Sequence, residues 1–266
     1  MTRDGASASA AATPGGPRYV APAGRRASVG RLVWRVVFRT FYRTKIVDAD
    51  LVPSTGALIM ASNHSGLIDG PVVMGLAPRP AHFMVKREMF HGISGAILRA
   101  MGQISVDRSV ADRTAIGTTL AVLSRGDVVG VFPEGSRGAG DVSSVHAGVT
   151  FLALASGAPV VPVACLGTRP EAGGPGTLLR PFSRIAVVFG EPFTLTAPPG
   201  TPRREANRLL TEELRQRLAA HVHASSERTG IPLYGMHGPT PHGVSAAEAA
   251  PLVAGTTTDE PVEDAP

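Results

Sequence analysis

Short apolar runs alternate with longer segments of helical periodicity through the middle of this 266-residue chain. Four of the runs are typical of buried strands: Leu58–Ser62, Val128–Phe132, Val160–Leu166 and Ile185–Phe189. Four further segments are typical of helices: Gly66–Leu76, Asp112–Leu123, Ser144–Ser156 and Arg203–His223. Strands that alternate with helices predict an α/β fold, in which a mixed, mostly parallel sheet is flanked by helices. In such sheets, ligands bind beyond the carboxyl ends of the strands.

The two ends of the chain differ from this central part. Residues 1–27 are rich in Ala, Gly, Ser and Pro without periodicity, which predicts a disordered arm. We expect a second disordered segment, acidic in character, over residues 229–266. Residues 45–228 form one predicted domain, and a helix over residues 28–44 precedes it.

The net charge of +5 is unevenly distributed. Five acidic residues and no Lys or Arg follow Arg228, so residues 1–228 carry +10. A basic domain suits anionic partners such as nucleic acid, an anionic lipid surface or a phosphorylated substrate. Basic residues are not interleaved with aromatic residues, and no nucleic-acid recognition motif occurs, so we expect no nucleic-acid partner.

The single cysteine, Cys165, excludes an internal disulfide and a multi-cysteine zinc site. Residues 1–27 lack the apolar region of a secretory signal peptide. The longest stretch without charged residues, Val142–Thr168, contains Gly157 and Pro159, which favour a break between a buried helix and a buried strand over a membrane span. We therefore predict a cytoplasmic location and no transmembrane helix.

The segment Ser28–Thr44 has the pattern of an amphipathic helix, with Ser28 as its N-cap. Its arginines recur every four residues and form one stripe: Arg31, Arg35, Arg39 and Arg43. Its remaining positions are largely aliphatic or aromatic: Val29, Val33, Trp34, Val36, Val37, Phe38, Phe41 and Tyr42. Such a helix is typical of a membrane interface. The alternative is a helix packed on the domain, with arginines that reach past it to solvent.

The first polar cluster, Asn63–Asp69, directly follows an apolar run. At the end of a strand, the ring of His64 is exposed at the rim of the sheet, and the next turn can bring Asp69 back to it. A carboxylate on one imidazole nitrogen leaves the other nitrogen as a base. The alternative interpretation is a capping histidine, with Asp69 in the first turn of a helix.

The second polar cluster, Phe132–Arg137, follows another apolar run. Gly135 permits a tight backbone, Glu134 can order the loop, and Arg137 offers a planar fork for phosphate. The cluster is not a P-loop, since the GxxxxGK[ST] pattern is absent. The alternative is a turn at a strand end with a solvated arginine.

Two further segments add positive charge. Gly102–Arg108 contains Arg108, and Lys86–Glu88 upstream contains Lys86. Both cations can lie at the same edge of the sheet as the two polar clusters. The alternative for each is an ordinary solvated surface charge.

With these segments, the chain resembles the glycerolipid acyltransferases. Asn63–Asp69 resembles their NHxxxxD motif, and Phe132–Arg137 resembles FPEGTR with Ser136 in place of Thr. Three further blocks match in order and spacing, namely GxIxVDR at Gly102–Arg108, KxE at Lys86–Glu88 and an apolar block with a central proline at Val160–Val163. The resemblance covers roughly residues 45–195 and indicates the bacterial, PlsC-like 1-acyl-sn-glycerol-3-phosphate acyltransferases. It departs from the family at position 146, where many members have Lys and this chain has His. His146 supplies charge only when it is protonated.

The resemblance implies an acyltransferase domain at residues 45–228. Its reaction moves a fatty acyl group from acyl-CoA or acyl carrier protein to the free hydroxyl of 1-acyl-sn-glycerol-3-phosphate, which gives phosphatidic acid. His64 then takes the hydroxyl proton as general base, and Asp69 orients and stabilises its imidazolium. No acyl-enzyme, metal or cofactor beyond the acyl donor is implied, and Cys165 lies in a predicted buried strand, where a thiolate is disfavoured.

The resemblance also implies the substrate-binding residues. Arg137 holds the acceptor phosphate, and Arg108 and Lys86 are further candidates for the same role. Glu134 and Gly135 belong to the same substrate-binding loop, whose shape we expect them to set. The expected partners are lysophosphatidic acid or a related phospholipid, the acyl donor and a membrane surface.

Several alternatives remain at this point. The acceptor can be glycerol-3-phosphate or a glycolipid with the same chemistry. A hydrolase could use the same His–Asp pair, and a non-enzymatic protein that binds anionic polymers could use the basic charge. For the acyltransferase we predict a peripheral location on the inner face of the cell membrane.

Overall fold

Seven strands form one sheet within the residues that the computed structural model describes, which are 19–110, 112–170, 174 and 176–234. The strands are β1 Arg43–Val47, β2 Leu58–Ser62, β3 Ala81–Lys86, β4 Ile104–Val106, β5 Val128–Val131, β6 Val160–Leu166 and β7 Arg184–Phe189. They lie in the order β1-β7-β6-β2-β5-β3-β4. Neighbouring strands are parallel, except for the antiparallel pair β6 and β7. The predicted mixed, mostly parallel sheet is confirmed.

Helices pack on both faces of this sheet, as predicted. They are α1 Gly24–Phe41, α2 Asp69–Leu76, α3 Gly92–Ala100, α4 Arg113–Ser124, α5 Gly148–Ser156 and α6 Arg203–Thr229. Successive side chains of a strand point to opposite faces, so β2 contributes to two cores. Ile59 and Ala61 pack with α4, α5 and α6, whereas Leu58 and Met60 pack with α1 and α2. The central strand β2 is buried along its whole length.

The uncharged stretch Val142–Thr168 contains a helix and a strand, as predicted. Helix α5 ends at Ser156 and is capped by Gly157, which has a φ of 66°, and β6 begins three residues after Gly157. Both elements are buried in the domain core. Among the described residues, no helix combines the length and apolarity needed to cross a membrane.

Three strands and one helix were not predicted. The edge strand β1 alternates between exposed and partly buried residues, β3 contains His82 and Lys86, and β4 has three residues. Helix α3 contains Gly92 and Gly95, which lower helix propensity. Gly95 is needed there because a Cβ atom would lie 2.2 Å from the backbone of Phe90.

Two helices begin later than predicted, and the residues before them form the loops of the site. Helix α2 begins at Asp69 and not at Gly66, because the Asp69 carboxylate binds the backbone N–H groups of Ser65 and Gly66. Helix α5 begins at Gly148 and not at Ser144.

The N-terminal helix differs from its predicted bounds of Ser28–Thr44. It begins at Gly24, so Ser28 is not the N-cap and its hydroxyl donates to the Gly24 carbonyl, at 3.3 Å. It ends at Phe41, because Thr44 pairs with β7 as part of β1.

The prediction of which α1 side chains face a membrane needs correction. Trp34 and Phe38, predicted to face a membrane, stack on each other with ring centroids 5.7 Å apart and pack into the core with α2. Arg31 Nε donates to the carbonyl of Ala77 at 2.7 Å, so this arginine also contacts the domain. The packed-helix alternative therefore describes this face of α1.

The two predicted disordered segments fall largely outside the described residues, which exclude 1–18 and 235–266. The last residues of the predicted arm, 24–27, belong to α1. At the other end, α6 continues beyond its predicted end at His223 to Thr229.

Candidate active site

The candidate site lies at the carboxyl end of the central strand. His64 follows β2, which is parallel to both of its neighbours, β5 and β6. The segments that follow these three strands therefore meet at one edge of the sheet. The ring of Phe132, after β5, stacks on the His64 ring with centroids 4.3 Å apart.

His64 and Asp69 form the hydrogen bond that their spacing indicates. His64 Nδ1 lies 2.8 Å from Asp69 Oδ2. The same oxygen accepts the backbone N–H groups of Ser65 at 2.7 Å and Gly66 at 2.8 Å. Asp69 is fully buried, and its bond to Nδ1 favours the tautomer of a neutral His64 ring that has the free lone pair on Nε2.

The second oxygen of Asp69 is held by residues that sequence reasoning did not identify. Thr168, two residues after the end of β6, donates its hydroxyl to Asp69 Oδ1, and the Cys165 sulfur lies 3.7 Å from the same atom. Both residues are buried. Burial, together with the Asp69 carboxylate, raises the pKa of the Cys165 thiol. Cys165 is therefore a neutral donor to Asp69.

Asn63 joins the loops that follow β2, β5 and β6. Its Oδ1 accepts the backbone N–H of Cys165 at 2.7 Å. Its Nδ2 donates to the carbonyls of Cys165 at 3.2 Å and Gly140 at 3.1 Å. The carbonyl of His64 accepts the backbone N–H of Gly138, and Arg169 donates to the Gly138 carbonyl. These bonds fix the backbone on both sides of the histidine.

Glu134 is turned into the protein and connects the two polar clusters. Its Oε1 accepts the backbone N–H of His64 at 2.7 Å, and the residue is buried. Burial raises the pKa of Glu134 to about 7, with smaller contributions from the Asp141 and Asp69 carboxylates, although the bond from the His64 N–H acts in the opposite direction. Glu134 therefore positions the His64 backbone.

Gly135 occupies a crowded position that requires glycine. Its φ is 71°, and a Cβ atom there would lie 2.4 Å from the ring of His146. Its carbonyl accepts a hydrogen bond from Arg108 Nη1. Arg108 and His146 are both exposed beside this turn.

The predicted cations meet His64 in one cavity of about 340 Å³, which we call the His64 cavity. Lys86, Arg108 and Arg137 line it together with His64. Its other walls are mainly apolar and include Trp34, Met74, Phe83, Val85, Ile97 and Met101. The cavity thus combines a histidine held by a carboxylate, positive charge and an apolar interior. Among the described residues, no group of three His, Cys, Asp or Glu side chains could hold a metal ion.

Comparison with known proteins identifies the family. The model of the Acyltransferase family matches residues 43–166. A 1-acyl-sn-glycerol-3-phosphate acyltransferase of Bacillus subtilis is 30% identical over 176 residues, which cover 65% of this chain and 85% of that protein. The chain belongs to the acyltransferase family. The region matched by the family model contains both the Asn63–Asp69 and the Phe132–Arg137 clusters of this acyltransferase.

Two further similarities extend this finding. The crystal structure of the 1-acyl-sn-glycerophosphate (LPA) acyltransferase PlsC from Thermotoga maritima covers 75% of this chain and 79% of its own, with a TM-score of 0.50 and 21% identity. The two proteins therefore share a fold. An uncharacterized protein of Mycobacterium leprae is 26% identical over 182 residues, 62% of this acyltransferase and 46% of that protein.

Proposed function

We propose that this acyltransferase transfers a fatty acyl group from acyl-CoA or acyl carrier protein to the free hydroxyl of 1-acyl-sn-glycerol-3-phosphate, which gives phosphatidic acid. The observation that carries the proposal is the His64 cavity itself, where an Asp-bound histidine meets three cations within apolar walls. Apolar walls suit a fatty acyl chain, and the cations suit a phosphate. The Bacillus subtilis relative is named for this reaction.

The proposed chemical step uses His64 as a general base. Its Nε2 takes the proton of the acceptor hydroxyl while the oxygen attacks the thioester carbonyl, because a neutral hydroxyl is a weak nucleophile near pH 7. The tetrahedral intermediate then expels the thiolate, which receives the proton from His64. Asp69 stabilises the imidazolium between these two transfers.

Direct transfer, without an acyl-enzyme, is favoured by the burial of Cys165 and Ser65. Ser136 lines the His64 cavity, but it has no G-x-S-x-G setting. Cys165 is buried, and burial raises the pKa of its thiol, so it lacks thiolate character. Ser65 is buried as well, with its hydroxyl 3.4 Å from that of Thr168. Neither side chain lines the His64 cavity.

The cations of the cavity are proposed to bind the acceptor phosphate. Arg137 presents a planar guanidinium, which suits two oxygens of a phosphate, and its side chain is exposed at the cavity. Lys86 adds a second charge. Arg108 already donates one of its N–H groups to Gly135 and has others for a ligand.

The lipid products of this reaction lead us to propose docking on the inner face of the cell membrane through the outward face of α1. Four exposed apolar side chains on α1 follow helical spacing: Val29, Leu32, Val33 and Val36. Arg39 on the same helix is exposed and can contact anionic lipid headgroups. This face keeps Val29, Val33 and Val36 of the predicted apolar positions, whereas Trp34 and Phe38 are packed in the core.

The test offers the purified protein oleoyl-CoA with each of three acceptors, which are lysophosphatidic acid, glycerol-3-phosphate and a glycolipid. We expect phosphatidic acid from the first, with far less product from the other two. Efficient acylation of glycerol-3-phosphate or the glycolipid, with no phosphatidic acid from the first acceptor, would contradict the proposal.

A further inference from the structure

A second cavity of about 340 Å³ lies at the same edge of the sheet. We call it the α4–α5 cavity, since its apolar wall comes from those helices and from the neighbouring strands: Val106, Ile116, Val131, Val149 and Leu152. Val131, Val149 and Leu152 belong to the core on the α4–α6 face of the sheet. Phe83, which lines the His64 cavity, belongs to the core on the opposite face. The two cavities therefore lie on opposite faces of one sheet edge.

The two cavities have a common wall. Met84, Arg108, Phe132 and Gly135 line both of them. Phe132 is the residue whose ring stacks on His64, and Arg108 is bonded to the carbonyl of Gly135. His64 itself does not line the α4–α5 cavity, so a ligand there meets His64 only across this common wall.

Positive charge faces the α4–α5 cavity from Arg108, and the ring of His146 lines the same cavity. Two carboxylates, Asp107 and Asp112, also line it, but both form ion pairs with Arg87, at 3.1 Å and 3.6 Å. Asp112 in addition caps α4, and Asp107 accepts from the Ser109 N–H and hydroxyl. The carboxylates are therefore engaged, whereas Arg108 has N–H donors left for an anion.

We propose that the α4–α5 cavity binds the acyl chain that the acceptor already carries, while the chain being transferred lies in the His64 cavity. This proposal rests on the proposed function, in which two hydrocarbon chains meet at one histidine. The volume and apolar lining are those of a small-ligand pocket with a few orienting polar groups. Arg108, in the common wall, can contact the acceptor phosphate from either side.

The chemistry of the two chains assigns them to the two cavities. The transferred chain ends in the reacting carbonyl, so it must begin beside His64. The existing chain is attached one carbon away from the reacting hydroxyl, so it begins a few bonds farther from His64. The α4–α5 cavity, which shares a wall with the His64 cavity but does not include His64, matches this second position.

The first test fills the cavity. Ile116→Trp adds a large ring from a half-buried position on α4, and Leu154→Trp adds the same ring at a half-buried position of α5 that lines a different cavity. We compare kcat/KM for 1-oleoyl and 1-hexanoyl lysophosphatidic acid at saturating oleoyl-CoA. The long-to-short ratio should fall about tenfold in Ile116→Trp, because contacts with chain methylenes are lost, and should keep its wild-type value in Leu154→Trp.

Two outcomes of this test would overturn the proposal. One is an unchanged long-to-short ratio in a folded Ile116→Trp protein. The other is a changed preference for the chain length of the donor in the same variant, which would assign the cavity to the transferred chain.

The second test needs no turnover. A thiol introduced by Ile116→Cys, or by Val149→Cys on the facing helix, is alkylated with N-ethylmaleimide and followed by mass spectrometry, while the buried Cys165 reacts slowly. Dodecyl phosphate should slow this alkylation severalfold, and inorganic phosphate should not. Equal rates with and without dodecyl phosphate in both variants would overturn the proposal. If dodecyl phosphate slows the alkylation but the protein forms no phosphatidic acid, the α4–α5 cavity still binds an alkyl chain, and only the proposed function is contradicted.

Discussion

The two sides of the His64 cavity are built differently. On one side, the buried Asp69 carboxylate is bound by His64, two backbone N–H groups and the Thr168 hydroxyl. On the other side, Lys86 at the end of β3 and Arg137 in the loop after β5 are exposed side chains. From this comparison we propose a division of labour, in which the preorganised His64–Asp69 pair performs proton transfer and the exposed cationic rim binds the substrate.

The largest expected effect concerns the preorganised side. His64→Ala removes the proposed base for the hydroxyl proton, so turnover should fall by about 10²–10⁴-fold. The measurement is steady-state formation of phosphatidic acid, with circular dichroism to show that the variant is folded. Near-normal turnover in a folded variant would exclude His64 as the base.

Glu134 links the two sides, and its ionisation is expected to affect stability. Because folding raises the pKa of Glu134 from 4.5 to about 7, its stabilising contribution is complete below pH 4.5 and is lost as the pH rises through 7. Between these limits the protein should lose up to about 3 kcal/mol of unfolding free energy through this group. Glu134→Gln keeps an acceptor for the His64 N–H and cannot ionise.

Denaturant unfolding at pH 5 and pH 8 checks this prediction. The unfolding free energy of Glu134→Gln, relative to that of the wild type, should be higher at pH 8 than at pH 5. If the difference in unfolding free energy between Glu134→Gln and the wild type is the same at pH 5 and pH 8, Glu134 ionises in the folded protein as it does in water.

Thr168 tests whether the second oxygen of Asp69 matters for catalysis. Thr168→Val removes the hydroxyl but keeps the shape, and we expect kcat to fall about tenfold, with a smaller change in the KM of the acceptor. Thr168→Ser should restore most of kcat. Thr150→Val, which removes another buried hydroxyl that bonds to Thr211 on α6, serves as the stability-matched control. Equal losses of kcat in Thr168→Val and in the control would reduce Thr168 to a structural role.

The smallest expected effect concerns the outward face of α1. Leu32→Gln combined with Val36→Gln removes two side chains that are 63% and 58% exposed, so the folded domain loses little. Binding to anionic vesicles in a sedimentation assay should weaken about threefold to tenfold. Leu209→Gln, at an exposed position of α6, is the control and should bind as the wild type does. Unchanged binding of the α1 variant would place the docking surface elsewhere.

The sequence predicted the parts of the fold whose pattern is local. Strands β2 and β6 are fully buried apolar runs, and their observed bounds match the predicted ones. Strand β3 has His82 and Lys86, and this mixture of polar residues hides its strand character. Pairing with β5 and β4 stabilises β3, and such long-range pairing is not visible in a local window.

The candidate site shows the same limit. His64 and Asp69 are five residues apart on one segment, so their contact could be inferred from spacing. Thr168 lies 99 residues from Asp69 and follows a strand with no polar motif, so only the adjacent placement of β2 and β6 reveals it. The inward orientation of Glu134 likewise depends on a bond between two loops.

The division of labour is tested most directly by kinetics of the double variant Arg137→Lys with Thr168→Val. Arg137→Lys removes the planar fork, so it should mainly raise the KM of the phosphorylated acceptor, and Thr168→Val should mainly lower kcat. If the two sides act independently, the effects on kcat/KM add as free energies to within about 0.5 kcal/mol. A deviation of more than about 1 kcal/mol from additivity, or a loss of kcat without a change of KM in Arg137→Lys, would contradict the account.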